Sequence, residues 1–184
     1  MTEQEILKMA ADAGFSAALI PTAEIPVDAK YRAFCEENRC GNYGANYACP
    51  PDCGTPEEMH HRLLTADQAL VLQSVRDIPG YGTPEVLTAR SQHTAAIRRF
   101  MTDLRRLGYD VFGVGYGGCS LCDPCRRKQN QPCAFPDLCM SCLSAYCVDA
   151  ALLAERCGLA FDWNPRKLYL FGMIVFRHAD VSGV

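Results

Sequence analysis

The stretch GGCSLCDPCRRKQNQPCAFP, residues 117–136, constrains this 184-residue chain more than any other, because it packs four of the twelve cysteines into fifteen positions. A single cysteine reads as a small buried hydrophobe. A cluster does not, since packing never asks for a sulfur at every third position of a loop. Cys119, Cys122 and Cys125 form a C-x2-C-x2-C run, with Cys133 eight positions on. Two-residue gaps let a tight loop turn successive thiolates toward one centre. Iron–sulfur loops of bacterial ferredoxins use this repeat to reach three corners of a four-iron cluster. Cys133, preceded by Pro132 and followed by Pro136, is the candidate fourth ligand. Zinc is the rival, because four thiolates also satisfy a tetrahedral ion, but zinc sites favour two separated C-x2-C pairs. The basic residues Arg126, Arg127 and Lys128 fit an anionic thiolate site, which nearby cations would stabilise. They are equally consistent with a solvated basic loop.

Composition removes several classes of function. The chain is 49% hydrophobic and 21% charged, with a formal net charge of −3, so neither nucleic acid nor an anionic membrane is expected as a partner. The opening MTEQEILKMAADAGF lacks the charged-then-apolar order of a signal peptide. The longest apolar stretch, LYLFGMIVF at 168–176, is strand-sized against the roughly 20 residues of a membrane span. These features point to a cytoplasmic protein. Disulfides are disfavoured in that compartment, which shifts the cysteines toward metal or redox chemistry.

Periodicity predicts helix over 3–13, ending at Gly14, and strand from Phe15 to Ile20. A helix over 28–38 opens at Asp28, with Tyr31, Phe34 and Cys35 along its inner face. Helix is predicted again at 56–66, and strand at 69–75. The clearest helix runs from about 85 to 107, with Ile97, Phe100, Met101, Leu104 and Leu107 in the i, i+3, i+4 rhythm and Gly108 as its stop. Strand 109–114 leads into the cysteine loop. Helix is expected over 138–157, broken near Cys147 by a fresh N-cap at Asp149, and strand over 167–177. The pattern predicts one α+β (or α/β) domain over 1–184, a small mixed sheet flanked by helices and carrying two cysteine-rich metal-binding loops.

The second loop lies in the first half. RCGNYGANYACPPDCGTP, residues 39–56, is a glycine- and asparagine-rich segment closed by two prolines. With Cys35 before it, it gathers Cys40, Cys49 and Cys53. Four ligands would complete a second site; three would leave an open metal corner, the mark of a catalytic centre. GVGYGG (113–118) matches G-x-G-x-x-G, but a cysteine loop stands where the phosphate-binding helix should start, so the dinucleotide reading fails. Those glycines suit close backbone approach and N–H donation to sulfur. Of the adjacent His60 and His61 at most one could face a metal, and solvated side chains are the simpler reading. Tyr43 and Tyr47 could pack over the first site or donate to sulfur.

Taken in order, C-x4-C-x2-Y-G with C-P-P (Cys35, Cys40, Tyr43, Gly44, Cys49, Pro50, Pro51), then G-x-C-x2-C with Cys125, Pro132-Cys133 and Pro136, resemble the family called domain of unknown function 2284, described as predicted metal-binding proteins. The later segment SAYCVDAALLAERCG also looks like the family, with glycine expected where Cys147 stands. The likeness spans roughly 35–158. It implies Cys35, Cys40, Cys49, Cys119, Cys122, Cys125 and Cys133 as metal ligands, iron–sulfur chemistry and anaerobic prokaryotic settings. Cys53 lies outside that pattern, as do Cys139, Cys142, Cys147 and Cys157. Helical spacing makes Cys139, Cys142 and Cys147 core residues, with a further ligand among them as the alternative.

These features favour an iron–sulfur redox or electron-transfer protein, its cofactor a 4Fe-4S cluster, with a second, incompletely ligated metal site and a protein redox partner. Whether it is also an enzyme, and its oligomeric state, are not written in the sequence. The alternatives are a zinc-stabilised interaction module and a metal-delivery or assembly factor.

Overall fold

A computed structural model describes residues 1–177. Strands β1 (Ser16–Pro21), β2 (Ala66–Asp77), β3 (Val111–Val114) and β4 (Lys167–Arg177) form one sheet in the order β1-β2-β4-β3. All its pairings are antiparallel. The architecture is therefore α+β, and no parallel pair occurs among the described strands. The central β2 and β4 are buried on both faces along their middles, where β4 reads as the apolar run LYLFGMIVF and β2 as the shorter ALVL.

On one face, α1 (Glu3–Asp12) and α4 (Pro84–Arg106) pack Ile6, Ala10, Ile97, Phe100, Met101 and Leu104 against Leu70, Leu72 and Ile174. On the other, α3 (Pro56–Leu63) and α5 (Ala150–Arg156) bring Met59, Leu63 and Leu153 against Val71, Phe171, Met173 and Val175. Local chemistry sets the helix ends. Thr2 and Thr55 each make a reciprocal capping box, with Glu5 and Glu58 respectively. Gly108, at φ +91, ends the α4 segment in the left-handed turn that glycine adopts freely. The α4 stripe faces the sheet as its spacing predicts, except that Leu107 is exposed past the last turn. Gly172 lets α4 approach the sheet: a Cβ there would stand 2.3 Å from Ile97 Cδ1 and 2.6 Å from the Val114 carbonyl oxygen.

Two predicted helices are revised. Residues 28–38 form a 3-10 turn (Ala29–Arg32) and then the four-residue α2 (Ala33–Glu36), opened as predicted by Asp28, which accepts from the Lys30 N–H. With so little regular helix the inner face is not the apolar one: Phe34 is 61% exposed while Arg32 is buried at 6%. Residues 138–157 are helical only from Ala150, where the Asp149 carboxylate caps the Ala151 and Leu152 N–H groups, each at 3.0 Å. Upstream of it, backbone groups are committed elsewhere. Ser141 O accepts from the Gly115 N–H, Cys147 O from the Asp28 N–H, and the Asp149 N–H donates to Pro26 O, all at 2.9 Å. Cys147 itself takes φ +57, a conformation that suits the glycine expected there.

His93, on α4, is 3% exposed, with Nδ1 3.0 Å from Ser74 Oγ and its ring edge-on to Phe15. Burial, with a smaller push from Arg76, lowers its pKa from 6.5 to about 4. Between those values the unfolded chain binds a proton that the folded chain refuses. Stability from this group is thus complete above about pH 6.5 and lost as pH falls toward 4, by on the order of 3 kcal/mol. Urea unfolding of wild type and His93→Gln at pH 7.5 and 4.5 should show the wild type losing more by about that amount. Equal losses would place the acid sensitivity in other groups.

Candidate metal centre

Three segments meet at one place. The loop 39–56 and the loop that leaves β3 are tied side by side: Asn46 Nδ2 donates to Cys119 O at 2.7 Å, the Tyr47 hydroxyl to Gln131 O at 2.7 Å, and Arg127 Nε to the Asp52 carboxylate at 2.6 Å. Gly118 lets them close, because a Cβ there would lie 2.9 Å from Asn42 Cγ. The third segment, 139–148, bonds to both sides. Cys142 pairs with Gly115 at the end of β3, and Val148 with Val27, which leads into α2.

This packing sorts the thiols, all twelve of which are free. Cys35 lies on α2, Cys40 is exposed and Cys49 is buried. Cys142 joins them: the Cys35 thiol hydrogen-bonds to the Cys142 sulfur. That bond, with the Ala145 and Ser144 N–H groups, lowers the Cys142 pKa to about 6, while Cys35 is pushed upward as the partner that keeps its proton. Burial, with the nearby Cys142 and Cys40 sulfurs, pushes Cys49 up to about 12. Cys119, Cys122, Cys125 and Cys133 are half-buried in the loop that leaves β3. Here the Cys139 thiol donates to Cys119. It lowers the Cys119 pKa to about 6 with help from the Leu121 N–H, the Arg98 charge and the Met140 N–H. Cys139 is raised by that bond, by burial and by Cys133. The thiolate is the form that binds metal, so each group holds one sulfur already favoured in that form.

Cys139 and Cys142 are thus beside other thiols and on no helix, although Cys142 also packs against the core as expected. Their C-x2-C spacing repeats that of the run, but it fits a helix equally well and so could not separate the two readings. Cys147 and Cys157 do pack into or against the core. Cys53 is buried, its sulfur 3.9 Å from Gly54 O and 4.0 Å from Arg32 Nη1.

Arg32 was not foreseen at all. Its Nη2 donates to Ala145 O at 2.9 Å, Nε is buried without a partner, and the described ion pairs give it no carboxylate. The sulfurs of Cys147 and Cys53 lie beside it, and its charge also reaches the Cys35 sulfur and, at longer range, the Glu57 carboxylate. A buried guanidinium with no direct ion pair is costly, so the pocket favours negative charge.

Other expectations resolve differently. The Gly115 N–H goes to Ser141 O, and sulfur-directed N–H groups come from Leu121 and Met140. Tyr47 bridges the loops, and Tyr43 is 39% exposed. His61 is exposed and His60 half-buried. Of the basic run, Arg127 is engaged with Asp52 while Arg126 and Lys128 stay exposed.

Among the described residues, no three His, Cys, Asp or Glu side chains converge on one point as a single ion requires. The donor chemistry nevertheless fits a thiophilic metal: free thiols gathered in two groups, N–H donors aimed at sulfur, and a buried cation beside them. Among the described residues no helix is long and apolar enough to cross a membrane. No curated protein and no solved structure matches the chain. The family profile of domain of unknown function 2284, a predicted metal-binding protein, matches residues 18–176, and the chain belongs to that family.

Proposed function

We propose that this protein is an iron–sulfur redox protein, with Cys119, Cys122, Cys125 and Cys133 as ligands of a 4Fe-4S cluster and Cys35, Cys40 and Cys49 as ligands of a second metal site. The observation that carries the reading is the C-x2-C-x2-C run in an irregular loop whose free thiols are half-buried, the spacing that iron–sulfur loops use. A cluster there would supply reversible one-electron exchange. The chain's own residues would set its surroundings. N–H donors and the Arg98 charge beside Cys119 favour thiolate and partly offset the negative charge of a four-thiolate site. The exposed Arg126 and Lys128 offer a cationic approach to an acidic redox partner.

Purification without oxygen, with iron, acid-labile sulfide and zinc quantified together in wild type and Cys122→Ala, tests the proposal. Iron with matching sulfide is expected in wild type, and clearly less of both in the variant. What remains in the variant reports on the 35–49 site. Stoichiometric zinc without sulfide overturns the electron-transfer reading in favour of a zinc-stabilised interaction module.

A further inference from the structure

The 35–49 loop supplies three thiols, one short of a closed four-thiolate site, and the geometry around it points to the missing one. Residues 141–149 are held against this loop's flank by backbone bonds that do not involve the thiols: Gly115 to Ser141, Asp28 to Cys147 and Asp149 to Pro26. Cys142 is therefore positioned by the fold. We infer that Cys142 is the fourth ligand of the 35–49 site, giving a set of Cys35, Cys40, Cys49 and Cys142. This rests on the reading of that loop as a metal site.

Each member of the set has a neighbour within it. The Cys142 sulfur takes the Cys35 hydrogen bond, Cys49 lies close enough to feel both Cys142 and Cys40, and Cys35 feels Cys49. Cys142 also meets the chemical requirement of a ligand better than Cys53, another thiol near Cys49. The Ala145 and Ser144 N–H groups point at the Cys142 sulfur. Cys53 is buried within the apolar core cluster and faces Gly54 O, whereas Cys142 is half-buried against that cluster. Arg32 closes the argument. It donates to Ala145 O, the carbonyl of a residue whose N–H faces Cys142, and its charge lies beside Cys53 and Cys147. The guanidinium is thus fixed to the same turn that presents Cys142, where it can balance a site carrying four thiolates.

Cobalt(II) is the probe, because its sulfur-to-metal absorption grows with each thiolate and needs no activity. The full chain, reduced and metal-free, is titrated with cobalt as wild type, Cys142→Ala, Cys142→Ser, Cys35→Ala, Cys122→Ala and Cys147→Ala. Cys142→Ala should weaken by tenfold or more the site that Cys35→Ala also weakens, and cut that site's charge-transfer absorption by about a quarter, one thiolate of four. At saturating cobalt the site weakened by Cys122→Ala should keep its full charge-transfer absorption, and Cys147→Ala should keep that of both sites. Should the alanine variant fail to fold, the near-isosteric serine variant gives the same readout. Affinity and absorption at the 35–49 site unchanged in the Cys142 variants would overturn the inference, as would loss confined to the 119–133 site. The two readings fail separately: absence of sulfide in the native protein sinks the redox proposal, while the cobalt thiolate count still decides Cys142.

Discussion

Arg32→Met is expected to reduce retention of bound metal by two orders of magnitude or more while leaving the secondary structure in place. The guanidinium is 6% exposed, its charge reaches the sulfur of the proposed ligand Cys35, and it is bonded to the turn that carries Cys142. Removing one partner from a buried charge pair costs about 3–5 kcal/mol, because the remaining charge is left uncompensated in a medium that solvates it poorly. At about 1.4 kcal/mol per tenfold, the lower figure already exceeds a hundredfold. The metal-free protein should respond differently. With the thiols protonated there is little negative charge to balance, and methionine fills similar space; the loss is then the bond to Ala145 O, on the order of 1–3 kcal/mol. Metal loss to a competing chelator, followed without oxygen alongside far-ultraviolet circular dichroism, separates the two effects. Arg32→Lys, which keeps the charge but not the planar fork, should fall between them. Unchanged retention in Arg32→Met would reduce Arg32 to a packing residue that satisfies one carbonyl.

Gly172→Ala is the second large effect, and it acts on the fold. Gly172 faces Leu72 across the central β2–β4 pair. Its missing Cβ would overlap Ile97 Cδ1 at 2.3 Å and the Val114 carbonyl oxygen at 2.6 Å. The isoleucine can rotate away, but the carbonyl cannot, since Val114 lies in β3 beside β4. Overpacking of this kind costs about 1–3 kcal/mol and more where backbone must move, a large share of the 5–15 kcal/mol typical of a domain. A fall in melting temperature of several degrees by calorimetry is expected. Adding Ile97→Ala should not restore it, because the backbone clash remains. A Gly172→Ala protein as stable as wild type would mean that β3 shifts freely, which the four paired positions of its ladder argue against.

The elements most readable in the sequence are those whose order is local. LYLFGMIVF announces β4, the Ile97–Leu104 stripe announces α4, and Asp149 marks the start of α5. The segment 139–148 was unreadable for the opposite reason. Its backbone partners are Gly115 and residues 26–28, so a C-x2-C spacing compatible with helix says nothing about which conformation wins. Arg32 and Phe34 were inverted because α2 is too short for periodicity to fix a face. The C-x2-C-x2-C run was legible from spacing and the 35–49 cysteines from the family resemblance, whereas the neighbours of their sulfurs were not. That Cys35 lies beside Cys142, and Cys119 beside Cys139, is a product of tertiary packing.

The crosswise bonds between the two loops also bear on the order in which the protein matures. Asn46 is fastened to Cys119, Tyr47 to Gln131 and Asp52 to Arg127, so neither loop can be ordered without restraining the other. With metal bound at both loops as proposed, whichever captures its metal first would lower the conformational entropy still to be lost by its neighbour. Binding at one would then strengthen binding at the other by the same factor in either direction. Half-filled chains should be scarce, and the protein should pass from empty to full over a narrow range of metal supply.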